Sequence, residues 1–170
     1  IDLSSADEGD TDTKAYETSI ETLKSEGITA LVGAASSSVT KLIIDGNIGA
    51  GIVTVSPSNT SADFTGLDPL YFRTAPSDNL QGEVLGNEIA EDGAKTLGII
   101  YQNDAYGTGL NDAITETFEG TGGEVVESVS FNVGDAQFDA QVESIKAQNP
   151  DAVAIVSFDQ FKTIAPLLVN

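Results

Sequence analysis

The sequence predicts an α/β protein built on parallel, doubly wound sheets. Three observations carry that expectation. Short apolar runs alternate with amphipathic stretches along the chain at the spacing of strand–helix units. Residues 151–158 are apolar with little polar alternation, as a strand covered on both faces must be. Polar loops at 33–38, 56–61 and 103–107 follow strand-like runs, and two of them open helices.

In chain order, Ile1-Asp2-Leu3 reads as a strand entered midway. Residues 13–26 carry Ala15, Tyr16, Ile20 and Leu23 at helical spacing, and Gly27 stands where a helix C-terminus favours glycine. Residues 28–34 form a short apolar run between glycines, expected to be a buried strand. Ser36, Ser37 and Ser38 are N-cap candidates for a helix over 39–45. A strand over 51–55 stops at Ser56-Pro57, and residues 58–70 read as loop. Residues 71–74 are extended, and Pro76-Ser77-Asp78 opens a helix to about residue 91. Strands are then predicted at 96–101 and 124–131, with a helix at 107–119 between them. A helix at 138–147, with Phe138, Val142 and Ile145 on one face, precedes the strand at 151–158.

Composition removes whole classes of function. The 170 residues hold 7 Lys+Arg against 27 Asp+Glu, a formal charge of −20. Nucleic-acid binding needs clustered cations, and so does docking on an anionic membrane. Without Cys or His there is no thiol nucleophile, no zinc site of the usual ligands and no Ser-His-Asp triad. No apolar run is long enough to span a bilayer. The chain contains no Met and stops inside the apolar run 165–170, which predicts a segment of something longer.

Parallel sheets present ligand groups in the loops after their strands. Three loops qualify: 33–38, 56–61 and 103–107. Ser36 and Ser37 sit where a helix start favours an anion, or they simply cap the helix. Ser58 and Thr60 offer acceptors suited to an ammonium group, or decorate a polar turn. Tyr106 stands at a strand-to-helix corner, where its ring covers a ligand or packs the corner. Gly49-Ala50-Gly51 and Gly107-Thr108-Gly109 do not extend to a dinucleotide fingerprint, and no phosphate-loop Lys follows. The acidic stretch 7–12 lacks the ligand order of a calcium loop, and its acids suit the start of the following helix. Asn59-Thr60-Ser61 matches a glycosylation sequon, a frequent chance pattern. No cofactor or metal is expected, and no base–nucleophile pair stands out from the acidic background.

The ordered motifs resemble one family. Gly27-Ile28 through Val32-Gly33, Ala35-Ser36-Ser37-Ser38, residues 52–60 ending in Ser56-Pro57-Ser58-Asn59-Thr60, Tyr71-Phe72-Arg73-Thr74, residues 102–107 and Asp151-Ala152-Val153 resemble the type I periplasmic binding proteins. Within that family the chain looks most like the branched-chain amino-acid (Leu/Ile/Val) binding proteins of ABC importers. The resemblance implies two hinged α/β lobes closing on a small ligand, with residues 1–75 part of lobe one and 76–170 part of lobe two. The family's opening strand and helix, and the later part of lobe two, have no counterpart in the chain.

By resemblance, Ser36, with Ser37 beside it, holds the ligand carboxylate, and Ser58 and Thr60 hold ammonium and carboxylate. Tyr106 is the lobe-two tyrosine. Phe158 aligns with a second aromatic, usually Tyr, whose hydroxyl it lacks. The acid that pairs with the ammonium falls beyond Asn170. The implied role is non-catalytic: an exported protein, periplasmic or extracellular and free or lipid-anchored, delivers an aliphatic amino acid to a membrane permease. The alternatives are a sensory-receptor ectodomain of the same fold and a Rossmann-like enzyme, and the latter lacks its glycine fingerprint. Charge is spread over both parts, −7 through Ala75 and −13 beyond it. It therefore reads as surface rather than as a binding patch.

Overall fold

A strand survives only where a neighbour accepts its backbone groups, and this decides which apolar runs become sheet. The computed structural model describes residues 2–169 and divides into two compact units, Ile1–Ser77 and Asp78–Asn170. In the first, α1 (Ala15–Ser25) buries Tyr16, Ile20 and Leu23, one stripe at helical spacing. It is followed by β1 (Ala30–Val32), α2 (Ser37–Gly49), β2 (Val53–Ser56), a 3-10 turn (Ala62–Phe64) and β3 (Tyr71–Arg73). The three strands are parallel in the order β1-β2-β3.

The registered residues Leu31, Thr54 and Tyr71 share one sheet face. Tyr16, Ile20, Val39 and Ile43 pack with Leu31 in one cluster, and Ile44 packs with Phe64 and Tyr71 in another. The opposite face carries Val32, 81% exposed, and Phe72, 54% exposed. The buried strand expected at 28–34 is thus a three-residue edge strand. Among the described residues it is paired only to β2, which leaves its other edge unpaired. The strand expected at residues 1–3 is also corrected. Ile1 lies outside the described residues, and Asp2 and Leu3 have no strand partner, with Leu3 92% exposed.

The second unit contains α3 (Asp78–Glu91), β4 (Thr96–Gln102), α4 (Ala105–Gly120), β5 (Glu124–Phe131), α5 (Asp139–Gln148), β6 (Ala152–Val156) and α6 (Phe161–Val169). Its strands are parallel in the order β5-β4-β6. Leu97 and Ile99 of β4 face Leu110, Ile114 and Phe118 of α4, joined by Leu85 and Ile89 of α3. On the other face Ile100 meets Phe138, Val142, Ile145 and, from α6, Ile164. This is the doubly wound arrangement the apolar runs predict. The apolar run at the end of the sequence proves, as far as Val169, to be part of helix α6, which carries Pro166 in its interior. Glycines set the closeness of α3 and α4: a Cβ on Gly82 would overlap Ala113, and one on Gly86 would overlap Thr117.

Candidate functional site

The polar corner of the first unit is built where β1 and β2 end. Two carbonyls, of Ala34 and Ala35, anchor it. Ser56 Oγ donates to the Ala34 oxygen at 2.7 Å, and Asn59 Nδ2 donates to both carbonyls, at 3.2 and 2.9 Å. Asn59 is fully buried, and its Oδ1 accepts from the Tyr71 hydroxyl at 2.9 Å. Burial raises the Tyr71 phenol to about 12, somewhat offset by Arg73. The Arg73 guanidinium donates to the carbonyls of Ser61, at 2.7 Å, and Asn59, at 3.4 Å, and to Thr65 Oγ1 at 2.8 Å. The loop carrying Ser58 and Thr60 is therefore held from both sides.

The four first-unit residues singled out in the sequence have different duties in this corner. Ser36 is the N-cap of α2, its Oγ accepting from Val39 N at 3.3 Å. Ser37 is buried and accepts from Ser61 N at 3.4 Å, which ties α2 to the loop. Ser58 Oγ donates to the Ala35 carbonyl at 2.9 Å and keeps its lone pairs for a donor. Thr60 is half-buried, and no hydrogen bond is made by its amide or hydroxyl among the described residues. Of the four it is the group with most hydrogen-bonding capacity left over.

Glu8 was not legible as part of this corner. Its carboxylate accepts from Ala35 N at 2.6 Å and from Ser36 N at 2.9 Å. The sequence predicts the acids of 7–12 at the start of the helix that follows them. Asp10 closes the turn that precedes α1, taking the amides of Thr13 and Asp12, which lowers its pKa, while α1 itself starts without a side-chain cap. Glu8 instead caps a loop 27 residues away. Only the tertiary fold brings the two together. The sequon at Asn59 is the chance pattern the sequence suggests: its amide is fully buried and bonds two carbonyls. Among the described residues no group of acids is arranged to hold a metal ion.

The second unit presents an aromatic corner. Asp104 caps α4, accepting from Tyr106 N at 3.1 Å and Gly107 N at 2.8 Å, and Gln102 Nε2 donates to its other oxygen at 2.7 Å. Gly107 is obligatory, because any Cβ there would overlap the Gln102 carbonyl. This fixes Tyr106 against Phe158, their rings stacked with centroids 5.2 Å apart and planes 20° off parallel. Burial, then the charges of Asp78 and Asp104, raise the Tyr106 phenol pKa. Phe158 is 57% exposed, so the pair is an open apolar platform with one neutral hydroxyl.

Parallel sheets covered by helices, with polar loops after their strands, define the class as a doubly wound α/β protein. The chain belongs to the periplasmic binding protein family, whose model matches residues 1–164. It is 32% identical over 123 residues to a leucine-, isoleucine-, valine-, threonine- and alanine-binding protein of Pseudomonas aeruginosa, covering 71% of this chain and 33% of that protein. A leucine-binding protein from Thermotoga maritima superposes with a TM-score of 0.82 at 24% identity, covering 90% of this chain and 44% of that one. An R. palustris ABC-transporter solute-binding protein in complex with benzoate gives 0.82 at 23% identity, covering 91% and 45%. The two superpositions speak for the fold. The chain spans between a third and a half of each of these proteins.

Proposed function

We propose that this chain is part of the substrate-binding protein of an ABC importer and that its ligand is an aliphatic α-amino acid. The two units are read as parts of the two lobes, with the boundary near residue 75. The protein is read as exported and as handing its ligand to a membrane permease without catalysis. The observation that carries this is Thr60. A Thr whose amide and hydroxyl make no hydrogen bond among the described residues, on a loop clamped by Asn59, Tyr71 and Arg73, is a preorganised donor pair.

A ligand carboxylate takes those donors and the Ser36 hydroxyl proton, while the Ser58 oxygen accepts from the ammonium. Within the second unit, the stacked Tyr106 and Phe158 rings are read as an apolar surface suited to an aliphatic side chain. The similarity to the P. aeruginosa protein supports the ligand class. Ligand-driven closure requires contacts that are stronger in the closed state.

Calorimetry on the full-length protein with a panel of amino acids tests the reading. Leucine, isoleucine or valine is expected to release heat, and Thr60→Ala to weaken binding about tenfold, the loss of roughly one good hydrogen bond. Ser36→Ala is expected to weaken it less. No heat with any amino acid would sink the proposal.

A further inference from the structure

We infer that Glu8 is a specificity-determining residue, selecting ligands that carry an ammonium group beside their carboxylate and rejecting simple carboxylates. The inference rests on the amino-acid reading above and narrows it. Both oxygens of Glu8 are committed to the amides of Ala35 and Ser36. Those two amides stand at the entry to α2, where an incoming carboxylate is otherwise favoured. While Glu8 holds them, no ligand oxygen can use them.

A fixed negative charge therefore sits within one residue of the Ser36 hydroxyl and on the same loop whose Ala35 carbonyl anchors Ser58. The salt bridges among the described residues join Lys24 to Glu21, Lys41 to Asp63 and Lys162 to Asp159, and none involves Glu8. Among the described residues its carboxylate is met by the two backbone amides of Ala35 and Ser36. A lone carboxylate entering this corner meets like-charge repulsion from Glu8, and the guanidinium that holds the neighbouring loop, Arg73, is turned to the carbonyls of Ser61 and Asn59 and to Thr65 Oγ1. A zwitterion brings its own cation, and the Ser58 oxygen and the Glu8 charge both favour that group. Selection thus comes from a repulsive element as well as from attractive contacts.

The test compares L-leucine with 4-methylpentanoate, the same skeleton without the amine, by calorimetry on the full-length protein and its Glu8→Gln and Glu8→Ala variants. The expected result is a wild-type preference for leucine that shrinks about tenfold or more in both variants, chiefly through tighter binding of 4-methylpentanoate. A general loosening of the loop would weaken both ligands alike and leave the ratio unmoved. A preference unchanged in folded variants, or a wild type that binds the two ligands equally, overturns the role of Glu8 while leaving the amino-acid reading intact. A wild type that binds neither overturns both. Should the variants not fold, a salt series on the wild type decides: the preference must narrow as salt rises, and a salt-independent preference overturns the inference.

Discussion

The two units use the same strand–helix alphabet and differ in how completely their sheets are covered. In the second unit α3 and α4 close one face of β5-β4-β6, while α5 and α6 close the other. Leu97, Ile99 and Ile100 consequently lose all contact with solvent. In the first unit α1 and α2 cover one face of β1-β2-β3, and Val32 and Phe72 remain open on the other. The first unit compensates with polar bonds: Asn59, Ser56, Tyr71 and Arg73 knit its strand ends together. Apolar burial dominates the second unit, whereas a buried hydrogen-bond network sets the shape of the first. Within that polar network Thr60 makes no hydrogen bond through its amide or hydroxyl among the described residues.

Substitutions in the 170-residue chain test this contrast. The largest effect is expected for Phe118→Ala, which empties a fully buried ring position beside Ile114 and Leu97. It should cost about 3–5 kcal/mol, read as a lower urea midpoint for the second unit. Tyr71→Phe should cost about 1–3 kcal/mol in the first unit, because it strands the buried Asn59 oxygen.

Tyr71 also carries a pH signature. Its folded pKa is raised from 10.0 to about 12, so its contribution is present below the unfolded value and is lost as pH climbs through the folded one. Wild-type stability should fall between those values, and that share of the fall should vanish in Tyr71→Phe. The smallest effect is expected for Phe72→Ser, within about 0.5 kcal/mol, because the ring faces solvent. A loss of several kcal/mol there would mean that the outer face is covered, and the contrast between the units would fail.

Much of the fold was legible because periodicity reports burial directly. Phe138, Val142 and Ile145 announced α5, and the unalternating run at 151–158 announced β6 with both faces covered. The misreadings share one cause. The run at 28–34 is as apolar as a central strand, yet what surrounds a strand is not written within it. Pro166 speaks against a helix locally, while Ile164, Leu167 and Leu168 against the sheet outweigh it.

At the candidate site, Ser36, Ser37, Ser58, Thr60, Tyr106 and Phe158 were all nameable from the sequence, but their hydrogen bonds were not. Ser37 and Ser58 spend theirs on the loop itself, and Thr60 does not. Glu8 is separated from its amide partners by 27 and 28 residues, a pairing that no local pattern encodes.

The central claim is that an amino-acid head group is held by the donors Thr60 leaves unspent. The most direct test is a leucine titration of the full-length protein against its Thr60→Val variant, which keeps the β-branched shape and removes the hydroxyl. The account predicts saturable leucine binding that weakens about tenfold in the variant, with the melting temperature unchanged. Equal leucine affinity in the two proteins would contradict it.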